Sequence, residues 1–517
     1  MRFISKMDVM KTKFLKQLST LSFLIVVALS ATTFGQALDD QKVVDEFDKE
    51  LKCHIHYEIE ITPAKLTRAD QKRRFSPKTV DLKPGNAALN YLRASLSFYE
   101  CLVDMNKSWK LQDKSREWLD CDLKDFPAEE VAARLNEIDS YYRVFRQIEI
   151  ATKRRDCRWT SDEQDLGFES SNFSEFRWLR QISTFNQLRI RHAIATGDFD
   201  KANEFISQGM QMAIHIDQMP CSSAGWDAER IASQTLKSAL EISSVDGSPN
   251  NLHALQTLPA TLVHFEPKYE TDCDWLDRRF EFLESPTTSN RTPEQWREVY
   301  LNAMDQMEQI WAGFIEDDES KKRKESLEAR TGLMLARLYP LAKRELLERG
   351  WTEEKVNAMP VGQVVAIQTR FVVDELKRQL YAGRNLPVVE AVKVQQKLQK
   401  ELASQGYFAS SAHGSFPITD LYCLYEGELP SGGRNLSRRI MMMQSIERLR
   451  DFAAKNSSLP TEQQYFELEM ANDPRTGAAF KYKRESDSTC TLQTGTKPLG
   501  LRSGYDIDIR MSIKLKQ

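Results

Sequence analysis

The chain has 517 residues, of which 41% are hydrophobic and 28% charged, with a formal charge of −3. Such a composition, with nine tryptophans, supports a sizeable buried core. A slightly acidic balance also lacks the basic surface that phosphate binding needs, so no nucleic-acid partner is expected.

Residues 1–37 read as a signal peptide. Lys11, Lys13 and Lys16 form a positive stretch, and Leu21 to Ser30 (LSFLIVVALS) form an apolar core too short for a membrane span. Gly35 and Ala37 supply small residues at a cleavage site, and Met10 reads as a natural start. Cleavage removes five Lys/Arg and one Asp, which takes the formal charge from −3 to −7. No later apolar run approaches a span. The mature chain is therefore expected to be periplasmic or secreted, without stable membrane insertion.

All eight cysteines follow this segment: Cys53, Cys101, Cys121, Cys157, Cys221, Cys273, Cys423 and Cys490. Export and an even count predict at least one disulfide, while the lack of any CxxC removes support for a zinc ribbon or thioredoxin-type site.

Residues 38–85 predict a short charged helix, a strand and a connector. From Cys53 to Ile61, Ile55, Tyr57, Ile59 and Ile61 alternate with His54, His56, Glu58 and Glu60. An HxH pair on a strand holds a metal only with a further ligand from elsewhere; no HExxH follows, and a solvated polar face is the reading adopted. Residues 63–85 are polar and basic.

Residues 86–403 predict an irregular helical-hairpin stack. The first helix runs to about Asn106, with Leu89, Leu92, Leu96, Tyr99 and Val103 on one face. Pro127 starts another, with Val131, Leu135, Ile138, Tyr142, Phe145 and Ile148 at near-heptad spacing; a helix packed in the core is preferred to a coiled-coil seam. Leu188 to Ile216 then predict two amphipathic helices joined at Gly197-Asp198-Phe199-Asp200. Glycine is suited to end the first and aspartate to cap the second. This pair resembles one tetratricopeptide-type hairpin, although no clean repeat period of about 34 residues surrounds it. Further helices are predicted at 228–243, 270–283, from Thr292-Pro293, at 333–347, after Thr352, at 361–381 and from Leu386-Pro387. The charged run 315–330 reads as exposed.

Residues 404–436 are a loop-rich linker. His413 lies beside Ser410, Ser411 and Ser415, but there is no GxSxG and no carboxylate placed to orient the ring. Ser431 to Arg434 (SGGR) is a weak anion-binding pattern. Residues 437–517 predict a last helix, Ser437 to Lys455, with Ile440, Met443, Ile446, Leu449 and Phe452 on one stripe. A small antiparallel sheet follows, whose clearest strand is Tyr505 to Leu515, paired with Phe480 to Tyr482 and Thr489 to Leu492. The fold class is thus mainly α with a small C-terminal α+β appendage.

In chain order, NAALNYLRA (86–94), CRW (157–159), LRIRHAIATGDFDKA (188–202), NNLHALQTLP (250–259), YPLAKRELLERG (339–350), AMPVGQVV (358–365) and IERLRDFAAKNSSLP…NDPRTGAAFKYK (446–483) form a pattern. It resembles a family of exported, mostly helical bacterial proteins without an assigned activity. The tail is also similar to the small-sheet ending of some pseudopilin-like exported proteins, but the chain lacks a pilin methylation signal joined to a long hydrophobic helix. The resemblance brings no catalytic residues. Because a solenoid-like stack presents a long surface and nothing in the sequence requires a reactive site, the leading reading is an exported interaction or scaffold protein with a protein partner in the cell envelope. The alternatives are an exported hydrolase, which requires His54 and His56, or His413, to meet acidic partners in a cleft, and a small-ligand or peptide-binding protein. No catalytic, cofactor-binding or metal residue is assigned.

Overall fold

The computed structural model describes residues 55–104, 108–159, 174–312, 327–381, 415–417, 432–474, 476–494 and 509–516, with isolated positions 386, 390, 394 and 397. Residues 1–37, Cys53, His54, His413, Cys423, most of 315–330 and the first residues of the predicted last strand lie outside this set. The chain is mainly helical, with a small sheet assembled from both ends of the sequence.

β1 (Ile55–Ile61) leads through the connector to β2 (Lys83–Asn86) and α1 (Ala88–Asp104), and α2 (Ser108–Asp120) follows. One long helix expected after Pro127 is instead two, α3 (Ala128–Tyr142) and α4 (Val144–Thr152). Between them Arg143 sits in the left-handed region with φ 52°, and its N–H bonds the carbonyl of Asp139. The Asp139 carboxylate then accepts the N–H of Phe145 at 2.9 Å, a cap that starts α4 and offsets the strain at Arg143. Val131, Leu135, Ile138, Phe145 and Ile148 are nevertheless all buried, so the stripe survives the break. β3 (Arg154–Asp156) pairs in parallel with β2, a short sheet inside a region expected to be purely helical.

The central hairpin forms as its turn chemistry dictates. α5 (Ser174–Ala195) ends at Gly197, φ 75°, where the N–H of Asp198 reaches the carbonyl of Ala193 at 2.8 Å. The Asp198 side chain accepts the N–H of Lys201 at 3.0 Å and opens α6 (Phe199–Asp217). α7 (Ser222–Ile242) packs on both. Gly209 of α6 is the closest approach: a Cβ there meets Thr235 Oγ1 of α7 at 2.4 Å.

α8 (Leu252–Gln256) and α9 (Glu266–Arg279) follow, and α9 clamps the α6–α7 corner with two buried charges one turn apart. Lys268 Nζ donates to the terminal carbonyls of Asp217 and Met219, and Asp272 accepts the N–H of Ser222 at 3.1 Å. A cation thus meets the negative end of one helix and an anion the positive end of the next. α10 (Pro293–Ala312), α11 (Leu327–Glu348), α12 (Glu353–Asn357) and α13 (Val361–Tyr381) form the next group. Tyr300 is central there, its ring tilted against those of Phe282 and Phe416 at 5.0 Å each, with its hydroxyl donating to the Gly362 carbonyl at 3.0 Å.

α14 (Gly432–Asn456) joins two cores. Leu436, Ile440 and Met443 belong to the helical core; Met442, Ile446, Leu449 and Ala453 cover the sheet. It is not the last helix: α15 (Glu462–Glu467) follows, opened by a reciprocal capping box between Thr461 and Gln464. The sheet comprises β4 (Lys481–Arg484), β5 (Thr489–Gln493) and β6 (Ile509–Leu515), in the order β1-β6-β5-β4. β6 is antiparallel to β5 as expected, but its other neighbour is β1, in parallel, with Ile55 opposite Ile509 and Ile61 opposite Leu515. The sheet is therefore mixed, β4 pairs β5 only, and the N-terminal strand belongs to the C-terminal unit.

One buried ion pair fastens that unit to the helices. Arg450 of α14 donates to Glu447, to the carbonyls of Thr62 (2.9 Å) and Pro249 (3.0 Å), and to Ser248 Oγ (2.6 Å). Glu447 also accepts the N–H of Asn251 at 3.0 Å.

Candidate functional site

α1 has two apolar faces. The buried one carries Tyr91, Ala94, Phe98, Cys101 and Leu102, and Phe98 meets Phe185 of α5 edge-on at 5.5 Å. The stripe singled out in the sequence is the other one. Leu89 is 52% exposed, Leu96 59%, Tyr99 47% and Val103 57%, with Leu92 half-buried between them. These residues alternate spacings of three and four, the a/d pattern of a helix-pairing seam. Four large apolar side chains exposed in one row are unlike the scattered single residues of an ordinary surface.

The seam is bounded on both sides. Ser95 and Leu102 on one flank are buried within the protein, while Arg93 and Glu100 on the other are exposed. Trp178 of α5 packs against Tyr99, ring centres 5.4 Å apart, and widens the apolar strip at that end. A helix of 17 residues gives the strip a length of about 25 Å.

Beneath it the floor is held by hydrogen bonds. The Tyr91 hydroxyl lies 2.9 Å from His215 Nδ1, and Gln211 Nε2 lies 2.9 Å from the other ring nitrogen. Trp159 donates to the His215 carbonyl at 3.0 Å and stacks on Tyr91. Burial pushes His215 down to about 4 and the Tyr91 hydroxyl well up, so both are neutral. A neutral, fully sequestered histidine is a positioning group for α1 and α6, not an acid–base catalyst.

Among the described residues, the others marked in the sequence do not assemble into a reactive site, while His54, Ser410, Ser411 and His413 lie outside that set. His56 lies on the polar face of the sheet with Nε2 2.8 Å from Ser512 Oγ, but among the described residues no carboxylate bonds its other nitrogen. Glu60 on the same face is taken by Lys514 at 2.9 Å. His264 pairs with Asp217 at 2.9 Å at the clamped helix corner. Gly432 to Arg434 form the first turn of α14 rather than a loop. Among the described residues no three His, Cys, Asp or Glu side chains gather as metal ligands.

The disulfide expectation is corrected for six of the eight cysteines. Cys101, Cys121, Cys157, Cys221, Cys273 and Cys490 form no disulfide with one another, and all but Cys121 are buried. Burial raises Cys273 and Cys490 each to about 12, so these are unreactive core thiols.

The chain matches no family model, no curated protein and no solved structure. The candidate site thus rests on its own geometry. The sequence contained the seam, but an apolar stripe at helical spacing is ordinarily core. The signal that it is not core is the second stripe on the same helix, Tyr91, Ala94, Phe98 and Leu102, in which the small Ala94 permits closer helix packing.

Proposed function

We propose that the protein is an exported interaction or scaffold protein of the cell envelope, and that the outer face of α1 is its docking surface. The observation that carries this reading is the exposed row Leu89, Leu96, Tyr99 and Val103, with half-buried Leu92 between them, on a helix whose opposite face is buried. Such a row offers apolar area and helix-matching shape, which serve recognition and supply no chemistry. The helical stack behind it supports the same reading, because packed hairpins hold a surface without needing a cleft. Export rests on residues 1–37, and no helix among the described residues is long and apolar enough to cross a membrane.

The test is site-specific photocrosslinking in the producing cell. A photoreactive residue at position 96 should yield discrete adducts, whereas the same residue at the exposed, charged position Glu117 of α2 should not. No adduct from 96, or the same adducts from both positions, overturns the reading.

A further inference from the structure

We infer that the partner of the α1 face is the α1 face of a second copy, paired antiparallel about a two-fold axis. This rests on the docking reading of the same surface and adds the identity and orientation of what covers it. Taking Leu89, Leu96 and Val103 as a positions and Leu92 and Tyr99 as d positions makes Arg93 and Glu100 the e positions. In an antiparallel pair, a side chains meet d side chains and e meets e. One register satisfies both requirements together. It sets Leu96 against the second copy's Tyr99 and Leu92 against the second copy's Val103. The same register places Arg93 opposite the second copy's Glu100, and symmetry repeats every contact.

The apolar layers are thereby flanked by two ion pairs of opposite sign, on the flank where both side chains are exposed. A parallel pair has no such match. There e side chains face g side chains, and the g positions are Ser95 and Leu102, both buried in their own protomer. Self-pairing also explains why the seam carries one cation and one anion seven residues apart rather than a single sign. A seam confined to one helix is at the small end of protein interfaces, so the dimer is concentration-dependent rather than obligate.

Sedimentation velocity over a concentration series, on the purified chain, tests this. The wild type should shift toward the dimer as concentration rises. Arg93→Glu and Glu100→Arg should each weaken association about tenfold or more, since each creates two like-charge contacts. The Arg93→Glu/Glu100→Arg double variant should return to within about twofold of wild type, because the pairs re-form with signs exchanged. Melting curves of all three variants should overlay the wild type, as both positions are exposed. A chain that stays monomeric throughout, or a double variant no better than the singles, overturns antiparallel self-pairing. If a monomeric chain still gives position-96 adducts to a different protein, the docking reading stands while self-pairing falls; if it gives none, both fall.

Discussion

Replacing Arg450 with methionine tests how the two units are joined. The guanidinium is wholly buried and donates to Glu447, Thr62, Ser248 and Pro249, which belong to three separate stretches of chain. Methionine fills similar volume but leaves the Glu447 carboxylate buried without its cation, at a cost of about 3–5 kcal/mol. Burial already pushes Glu447 up more than Arg450 pulls it down, and losing Arg450 raises it further. A carboxyl raised in the folded state favours folding below its unfolded value near 4.5, and that contribution fades as pH rises through the folded value. The Arg450→Met penalty should therefore be largest at neutral pH and shrink toward pH 5. Arg450→Met/Glu447→Met should be less destabilised than the single variant, the remaining loss being the orphaned Thr62 and Pro249 carbonyls and the orphaned Asn251 N–H, at about 1 kcal/mol each. Urea denaturation at several pH values reads all three quantities. A single variant within about 1 kcal/mol of wild type, or a double variant no better than the single, refutes this account of the joint.

Three further outcomes follow from the packing. Gly209→Ala should cost about 1–3 kcal/mol by overpacking α6 against Thr235, whose hydroxyl is fixed to the Ile231 carbonyl at 2.7 Å, and Thr235→Ala added to it should recover most of that in the same denaturation assay. His215 is held neutral in the folded chain, so its stabilising contribution should be complete above its unfolded value near 6.5 and be lost as pH falls through about 4. The loss is about 3 kcal/mol, visible as a pH slope that His215→Phe abolishes. Ile509→Asp should destabilise the sheet unit by several kcal/mol (about 3 or more) by burying a charge in β6, while Lys514→Ser on the exposed face should change stability by less than about 1 kcal/mol; fluorescence melting distinguishes them.

What the sequence reveals and what it hides divides along locality. Gly197 and Asp198 act within one turn, and the apolar alternation of Ile509 to Leu515 acts within one strand, so both elements were readable. The partner of that strand was only half readable: period-two alternation names a buried face, not the neighbour across it, and β1 is almost the whole chain away. Arg143 hides its helix break because no glycine or proline marks it; the cue is Asp139, which caps the next helix by accepting an N–H six residues downstream. α15 is legible in the sequence, since Thr461-x-x-Gln464 is a capping box directly after Leu459-Pro460. Lys268 and Asp272 look like surface charges in sequence because nothing local shows that α9 lies across the corner of two other helices. The two stripes of α1 are the same difficulty in its sharpest form. Periodicity finds both, and only the tertiary partners Phe185 and His215 decide which one faces inward.

The central claim, that the outer row of α1 is kept apolar for docking rather than for folding, is tested most directly by Leu96→Glu, with melting temperature and native mass in a gentle envelope extract measured side by side. A side chain 59% exposed in the free chain contributes little to its fold, whereas a charge at the middle of a docking seam is deeply unfavourable. The account predicts unchanged melting together with loss of the higher-mass assembly. An unchanged assembly, or a melting temperature that collapses with the substitution, contradicts it.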